Sequence, residues 1–339
     1  MEYFDWKKEI NETEMNKVAD MIKSGGIALV PTETVYGIAA NALSDEACKK
    51  IFIAKGREQD NPLIAHVSSK EMIKSLTKNI SEIEKKLIEA FMPGPFTIIL
   101  ENNNVICNTA SAGGNTIGVR MPSNRIINEL ISKCNIPLAI PSANVSGKPS
   151  GTCIEDVLEE LKDKVDCVIN GGKCQIGIES TVVKVINGVP TILRPGFVTK
   201  EDIQKVVGKV ALSDNLFKTV DNNEKVESPG MKYKHYAPKT KCVLVEGENQ
   251  IEKINKLISE NENVCVIGFS EDIKYINTDK YIDIGSKQNL NEIAKNIFSA
   301  LREADKKNAK LIIIQGTKRD GLGLGIMNRL IRSCENNVI

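Results

Sequence analysis

The chain has 339 residues, a length that favours two domains over one. Its 45 Lys+Arg and 44 Asp+Glu leave a formal charge of +1, which excludes an overall electrostatic pull towards nucleic acid or an anionic membrane. A hydrophobic content of 41% excludes a disordered chain, and two histidines, His66 and His235, argue against a His-rich metal site.

In chain order, Met15, Val18, Ala19 and Ile22 fall at helical spacing. Gly25-Gly26 ends that helix and Ile27–Val30 reads as a buried strand. His66 sits inside the strand-like run Leu63–Val67, where a structural histidine is the simpler reading than a ligand. Ile126, Ile127, Leu130, Ile131 and Cys134 mark a second helix before a short strand over Pro137–Ile140. Thr181–Ile186 and Val189–Leu193 flank Asn187-Gly188, the strongest short hairpin signal. Residues 1–206 therefore read as an α/β unit. Residues 207–240 read as a linker, polar and aperiodic around Asp221–Lys225 and then rich in rings and lysines at Met231–Pro238. From residue 241 to 339, strands at Cys242–Val245, Val264–Phe269, Tyr281–Ile284 and Leu311–Ile314 alternate with helical faces (Ile251, Ile254, Leu257 and Ile258; Leu290 to Leu301). That alternation predicts a smaller, Rossmann-like parallel sheet. Gly321-Leu322-Gly323-Leu324-Gly325 reads as a loop before a helix, where tight packing is preferred over an anion site because no acidic ribose partner follows.

Nine scattered cysteines with no CxxC pair suggest reduced thiols and a cytoplasmic protein. No apolar run approaches the ~18–20 residues of a membrane span, so no membrane association is expected.

Polar residues concentrate just after strands of the first unit, where α/β sheets bind ligands. Pro31–Gly37 carries two hydroxyls and a carboxylate. Lys55 and Arg57 bracket Gly56, a pairing that can grip phosphates, though such charges also end solvated helices. Arg120, between apolar residues, requires an anion from the protein or from a substrate carboxylate. Ala139–Thr152 runs from a strand into hydroxyls and small residues able to cradle phosphate oxygens, without Walker A spacing. Ile178–Val183 and Leu193–Gly196 add a hydroxyl and Arg194. Lys55, Arg57, Arg120 and Arg194 in one cleft would suit a small polyanion together with a carboxylate. No nucleophilic triad is legible.

These segments, PTETVYG at 31–37, KxR at 55–57, NPLIAHV at 61–67, GVRMP at 118–122, PSANVSG at 141–147, ESTVV at 179–183 and RPG at 194–196, resemble the YrdC-type L-threonylcarbamoyladenylate synthases. SPGMKYKHYAP at 228–238 and GLGLGIMNRLIRS at 321–333 extend the resemblance to the long form, across essentially the whole chain. The resemblance implies a twisted mixed-sheet catalytic domain with an open cavity, and a reaction of L-threonine, bicarbonate or CO2 and ATP to L-threonylcarbamoyl-AMP and pyrophosphate. A separate tRNA threonylcarbamoyl transferase machinery would then modify N6 of adenosine 37 in tRNAs reading ANN codons, so stable tRNA binding is not required. It further implies threonine binding by Thr34, His66, Arg120, Ile140 and Ser180. ATP would be held by Lys55, Arg57, Asn61, Thr116, Ser142, Asn144, Ser150, Arg194, Tyr233, His235 and Tyr236. Lys55, Arg57, Ser142 and Asn144 would be the catalytic set, with Mg2+ accompanying the nucleotide and the linker rings closing over it. The alternatives are an RNA-binding or translation-regulatory protein of the same fold, disfavoured by the neutral charge and scarce aromatics, and a hydrogenase-maturation carbamoyl transferase, disfavoured by the lack of Cys pairs.

Overall fold

The computed structural model describes residues 1–217 and 235–339. Among them, eleven strands form one twisted mixed sheet in the spatial order Glu2–Asp5, Cys167–Asn170, Ala28–Val30, Gly37–Asn41, Leu138–Ala139, Ile64–His66, Thr116–Arg120, Phe96–Glu101, Thr181–Ile186, Val189–Arg194 and Ala211–Leu212. Neighbours alternate irregularly between parallel and antiparallel: Ile64–His66 runs parallel to Thr116–Arg120, which is antiparallel to Phe96–Glu101. The expected hairpin is present, and Asn187 and Gly188 both take positive φ (50° and 75°), the turn that Asn-Gly favours. The last strand, Ala211–Leu212, pairs with Thr191 and Ile192, so the sheet runs on into the segment expected to be linker.

Each face of the sheet is covered. The amphipathic helices Glu12–Lys23 and Arg125–Cys134 bury Met15, Val18, Ile22, Ile127 and Leu130 on one side. On the other, the helices Asp45–Lys55 and Lys70–Leu76 pack Ile51, Phe52 and Ile73 into the largest core cluster. Side-chain caps from Asn11, Ser44, Ser69 and Asn124 satisfy first-turn N–H groups and fix where these helices begin.

The second unit is a four-stranded parallel sheet in the order Cys242–Val245, Leu311–Gln315, Val264–Gly268, Tyr281–Asp283, flanked by the helices Gln250–Glu260, Leu290–Lys306 and Gly321–Ser333. Gly321–Gly325 does not precede the last helix but forms its first turns. The packing it serves is between the units: a Cβ on Gly325 would stand 3.1–3.3 Å from the backbone of Gly196. One apolar cluster spans the junction, joining Val35, Ile178 and Tyr236 to Phe298 and Ile326.

Candidate active site

The strand ends gather the expected residues into one cleft. Thr34, Arg57, His66, Arg120, Ile140, Ser142, Asn144, Ser180, Arg194, His235 and Tyr236 all line it. Cross-strand register explains part of this convergence: His66 lies opposite Arg120 and Ala65 opposite Ala139, so three strands deliver their ends side by side. Thr32, Tyr36, Pro141 and Glu179 also line the cleft without having been expected there.

Arg120 has its anion within the protein. Its Nη2 lies 2.7 Å from Glu33 Oε1, with the two side chains 6% and 2% exposed. Burial pushes the Glu33 carboxyl up, but the Arg120 charge and hydrogen bonding outweigh it and hold the group below the ordinary carboxylate range. Arg120 Nε and Glu33 Oε2 are buried with no hydrogen-bond partner among the described residues, leaving the guanidinium capacity for a further anion. His66 Nδ1 is 3.1 Å from the Ile64 carbonyl, and burial, reinforced by the Arg120 charge, pulls its pKa to about 3, so the ring is neutral at pH 7. On the opposite side, Ser180 Oγ shares a 2.8 Å hydrogen bond with Thr97 and accepts one from Arg194 Nη2 at 3.1 Å. Arg194 Nε also donates to the Ser180 carbonyl, and burial lowers the Arg194 pKa to about 10.

The two short pairs KxR and SxN are joined physically. Lys55 is 2% exposed and does not line the cleft; its Nζ donates to the carbonyls of Ser142 and Asn144, the latter at 2.7 Å. Burial, with the Arg57 charge adding to it, drives the Lys55 pKa well below its ordinary value. Ser142 Oγ donates to Asn144 Oδ1 at 2.7 Å, and Asn144 Nδ2 donates to the carbonyls of Val145 and Lys148, so the loop is held from within. Arg57 Nη2 donates to the carbonyls of Asn61 and Pro62. Asn61 and Ser150 are buried behind the cleft wall rather than in it; Ser150 Oγ donates to Glu179 Oε1 at 2.6 Å. Thr116 is not brought to the cleft: it pairs with Glu101 at the end of its strand remote from Arg120. Tyr233 lies outside the described residues.

His235 and Tyr236 enter from beyond the first unit. The chain is pinned there by Ala237 N–H donating to the Gly147 carbonyl at 2.8 Å. Tyr236 takes a positive φ of 63° and stacks 5.2 Å from Phe298 of the second unit. Burial, with the Arg57 and Arg332 charges adding to it, lowers the His235 pKa to about 3, and its Nε2 is buried without a hydrogen-bond partner among the described residues. With these rings in its lining, the cleft leaves about 60 Å³ for water-sized groups.

Glu179 is the clearest residue that reading the sequence missed. Its signal was that of Arg120, a charge at the buried end of an apolar strand.

The family model described as "Telomere recombination" (Sua5/YciO/YrdC) matches residues 20–196. A second, described as "Threonylcarbamoyl-AMP synthase, C-terminal domain", matches residues 198–334. The chain is 39% identical to a threonylcarbamoyl-AMP synthase of Pyrococcus abyssi, covering 98% of this chain and 97% of that protein. It is 37% identical to one of Bacillus subtilis, covering 97% and 95%. The crystal structure of P. abyssi Sua5 complexed with L-threonine superposes with a TM-score of 0.94 at 38% identity, covering 100% of this chain and 99% of that one. E. coli YciO, at 19% identity and a TM-score of 0.51, shares the fold over 57% of this chain.

Proposed function

The chain belongs to the Sua5/YciO/YrdC family in its long form, the threonylcarbamoyl-AMP synthases, and from that premise we propose how its cleft carries the reaction. The activity is that of a nucleotidyltransferase: L-threonine, bicarbonate or CO2 and ATP give L-threonylcarbamoyl-AMP and pyrophosphate, for threonylcarbamoylation of tRNA. The observation that carries the residue assignment is a single cleft lined by Arg120 and His66, by Ser180 with its hydrogen-bonded Arg194, and by Arg57, Ser142 and Asn144. Arg120, His66 and Ser180 suit an amino-acid carboxylate and hydroxyl, and Arg57, Ser142, Asn144 and Arg194 a polyphosphate.

In this reading the threonine carboxylate takes the free face of the Arg120 guanidinium, while Thr34, Ser180 and the Ile140 backbone orient the rest. Neutral His66 can accept or donate one hydrogen bond without adding charge. The neutral amine attacks CO2 and loses a proton, or attacks bicarbonate with release of water, giving a carbamate; a carbamate oxygen then attacks the α-phosphorus of ATP as the bond to pyrophosphate breaks and pyrophosphate leaves. Such a step needs alignment and neutralisation of charge rather than a protein nucleophile. Arg57 and Arg194 supply that neutralisation; Lys55, Asn61 and Ser150 act by holding the loops that carry Ser142, Asn144 and Glu179. Among the described residues no three His, Cys, Asp or Glu side chains cluster as a metal cage, so Mg2+ would be held by the phosphates of the nucleotide it accompanies.

His235 and Tyr236 act as a cover that leaves to admit ATP and returns to exclude water from the short-lived carbamate. The position of both rings in the lining of the cleft supports this. We place the end of the first domain after the strand Ala211–Leu212 rather than near 206, the start of the second near 240, the protein in the cytoplasm, and its product with a downstream tRNA threonylcarbamoyl transferase. No described helix is long and apolar enough to cross a membrane. The test is incubation with ATP, threonine and bicarbonate: pyrophosphate release that depends on threonine is expected, and release that is absent or equal without threonine overturns the reading. Replacing His235 and Tyr236 by Ala should raise threonine-independent ATP hydrolysis; an unchanged ratio removes the cover role.

A further inference from the structure

Arg329 has the largest side chain that is fully buried in the described residues, and it belongs to the second unit, on the helix Gly321–Ser333. A guanidinium at 0% exposure is costly to bury unless its donors are met. Here Asn328 Oδ1 of the same helix meets Nη1 at 3.0 Å, and the first unit supplies the other main acceptors. Nε donates to Glu179 Oε2 at 2.8 Å, Nη2 to the Glu179 carbonyl at 3.2 Å and Nη1 to the Pro195 carbonyl at 2.6 Å. One rigid fork thus grips two separate cleft segments, ESTVV through Glu179 and RPG through Pro195.

Both gripped residues stand next to residues that line the cleft. Glu179 itself lines it, Ser180 follows it, and Arg194 precedes Pro195. Arg194 in turn hydrogen-bonds Ser180 by both Nε and Nη2. The other oxygen of Glu179 holds Ser150 at 2.6 Å. The same guanidinium lies 5.8 Å from the ring of Tyr236, whose other neighbour is Phe298 of the second unit. The helix reaches this deep because Gly325, one turn before Arg329, rests on the backbone of Gly196.

We infer that Arg329 is a positioning residue of the catalytic cleft, by which the second unit sets the distance between the Ser180 and Arg194 segments and seats Tyr236. The inference rests on the proposed function of that cleft. It gives the second domain a direct part in the chemistry without any ligand of its own. Displacing groups that align two substrates by as little as an ångström costs up to about a hundredfold in rate, so the effect should be read in kcat/KM.

The test uses the full chain as wild type, R329K, R329M and E179Q/R329M, with thermal unfolding and threonine-dependent pyrophosphate release followed together. R329M leaves Glu179 buried with its nearest cation removed and should lower the Tm. The double variant removes both charges and should recover most of that loss. Its kcat/KM should nevertheless stay about ten- to a hundredfold down. R329K keeps a charge but not the fork, and should fold near the wild-type Tm with kcat/KM reduced about tenfold or more. A double variant that recovers activity in step with Tm makes Arg329 merely structural and overturns the inference, as does R329K within twofold of wild type. Wild type without threonine-dependent release would instead sink the functional reading, so the two failures are distinct.

Discussion

The ion pair of Arg120 with Glu33 allows threonine recognition to be separated from folding. Arg120→Met removes the only cation within salt-bridge distance of Glu33 among the described residues and strands a carboxylate that is 2% exposed. Breaking a buried pair from one side costs about 3–5 kcal/mol, a large part of a typical stability of about 5–15 kcal/mol. The pH dependence carries the sign. In wild type the folded pKa of Glu33 lies below its ordinary 4.5, so the stability it contributes is complete above 4.5 and is lost as pH falls through the lower folded value. In the variant, burial is opposed only by backbone hydrogen bonds such as that from Ser123 N–H, and should raise the folded pKa above 4.5. The folded state then binds more protons than the unfolded one across that window, and the variant's deficit shrinks by about 1.4 kcal/mol for each pH unit descended within it. The double variant E33Q/R120M should recover most of the stability at pH 7.5, because no lone charge remains. Neither variant should be stabilised by threonine, whereas wild type gains about 2.7 kcal/mol at a hundred times its Kd. Urea midpoints at pH 7.5 and 5.5, with and without threonine, read all three effects. A single variant as stable as wild type, a deficit that does not narrow in acid, or a persistent threonine response would each refute the reasoning.

Arg57→Ala should raise the KM for ATP about tenfold or more with the threonine KM within twofold, as two-substrate kinetics would show; the reverse pattern exchanges the two sides of the cleft. His66 and His235, both held neutral with pKa values of about 3, make wild type lose stability as pH falls from 6.5 towards 3, each by up to about 1.4 kcal/mol per unit, and a flat urea profile between pH 7 and 5 would contradict their burial. Gly325→Ala should cost about 1–3 kcal/mol, since the added methyl meets the Gly196 backbone at 3.1–3.3 Å and backbone cannot swing aside, and should lower kcat/KM as well; an unaffected Tm would mean the two units part freely there.

What could be read in advance was local in origin. The faces of the helices Glu12–Lys23 and Arg125–Cys134 announce themselves by periodicity, and Asn187-Gly188 by the positive φ that its turn requires. The strand-end clusters were legible because hydroxyls and charges adjoining apolar runs have few structural reasons to be there. What escaped depends on partners far along the chain. Glu2–Asp5 is a strand only because Cys167–Asn170 lies beside it, and Ala211–Leu212 only because of Thr191 and Ile192. The run Gly321–Gly325 looked like a loop because three glycines disfavour a helix; contact with Gly196 repays that preference. Lys55 and Arg57 stand two residues apart, yet one turns under the Ser142 loop and the other lines the cleft, a division that sequence spacing alone does not encode.

The near-zero net charge of the chain takes on a different meaning inside the cleft. Three arginines, 57, 120 and 194, line it against one carboxylate, Glu179, and that carboxylate is gripped from behind by Arg329. Glu33 is likewise committed to Arg120. The acids therefore orient arginines and loops rather than cancel the positive face presented to substrate. On the proposed function, a triphosphate and an amino-acid carboxylate would complete that balance on binding, replacing water with donors already held in place. On the proposed mechanism, the mixed anhydride carries less charge than ATP once pyrophosphate has left, so the same arginines would hold it less firmly than the substrate. That asymmetry would favour release of the product, and it would arise from fixed ion pairs, without a surplus of basic residues in the chain as a whole.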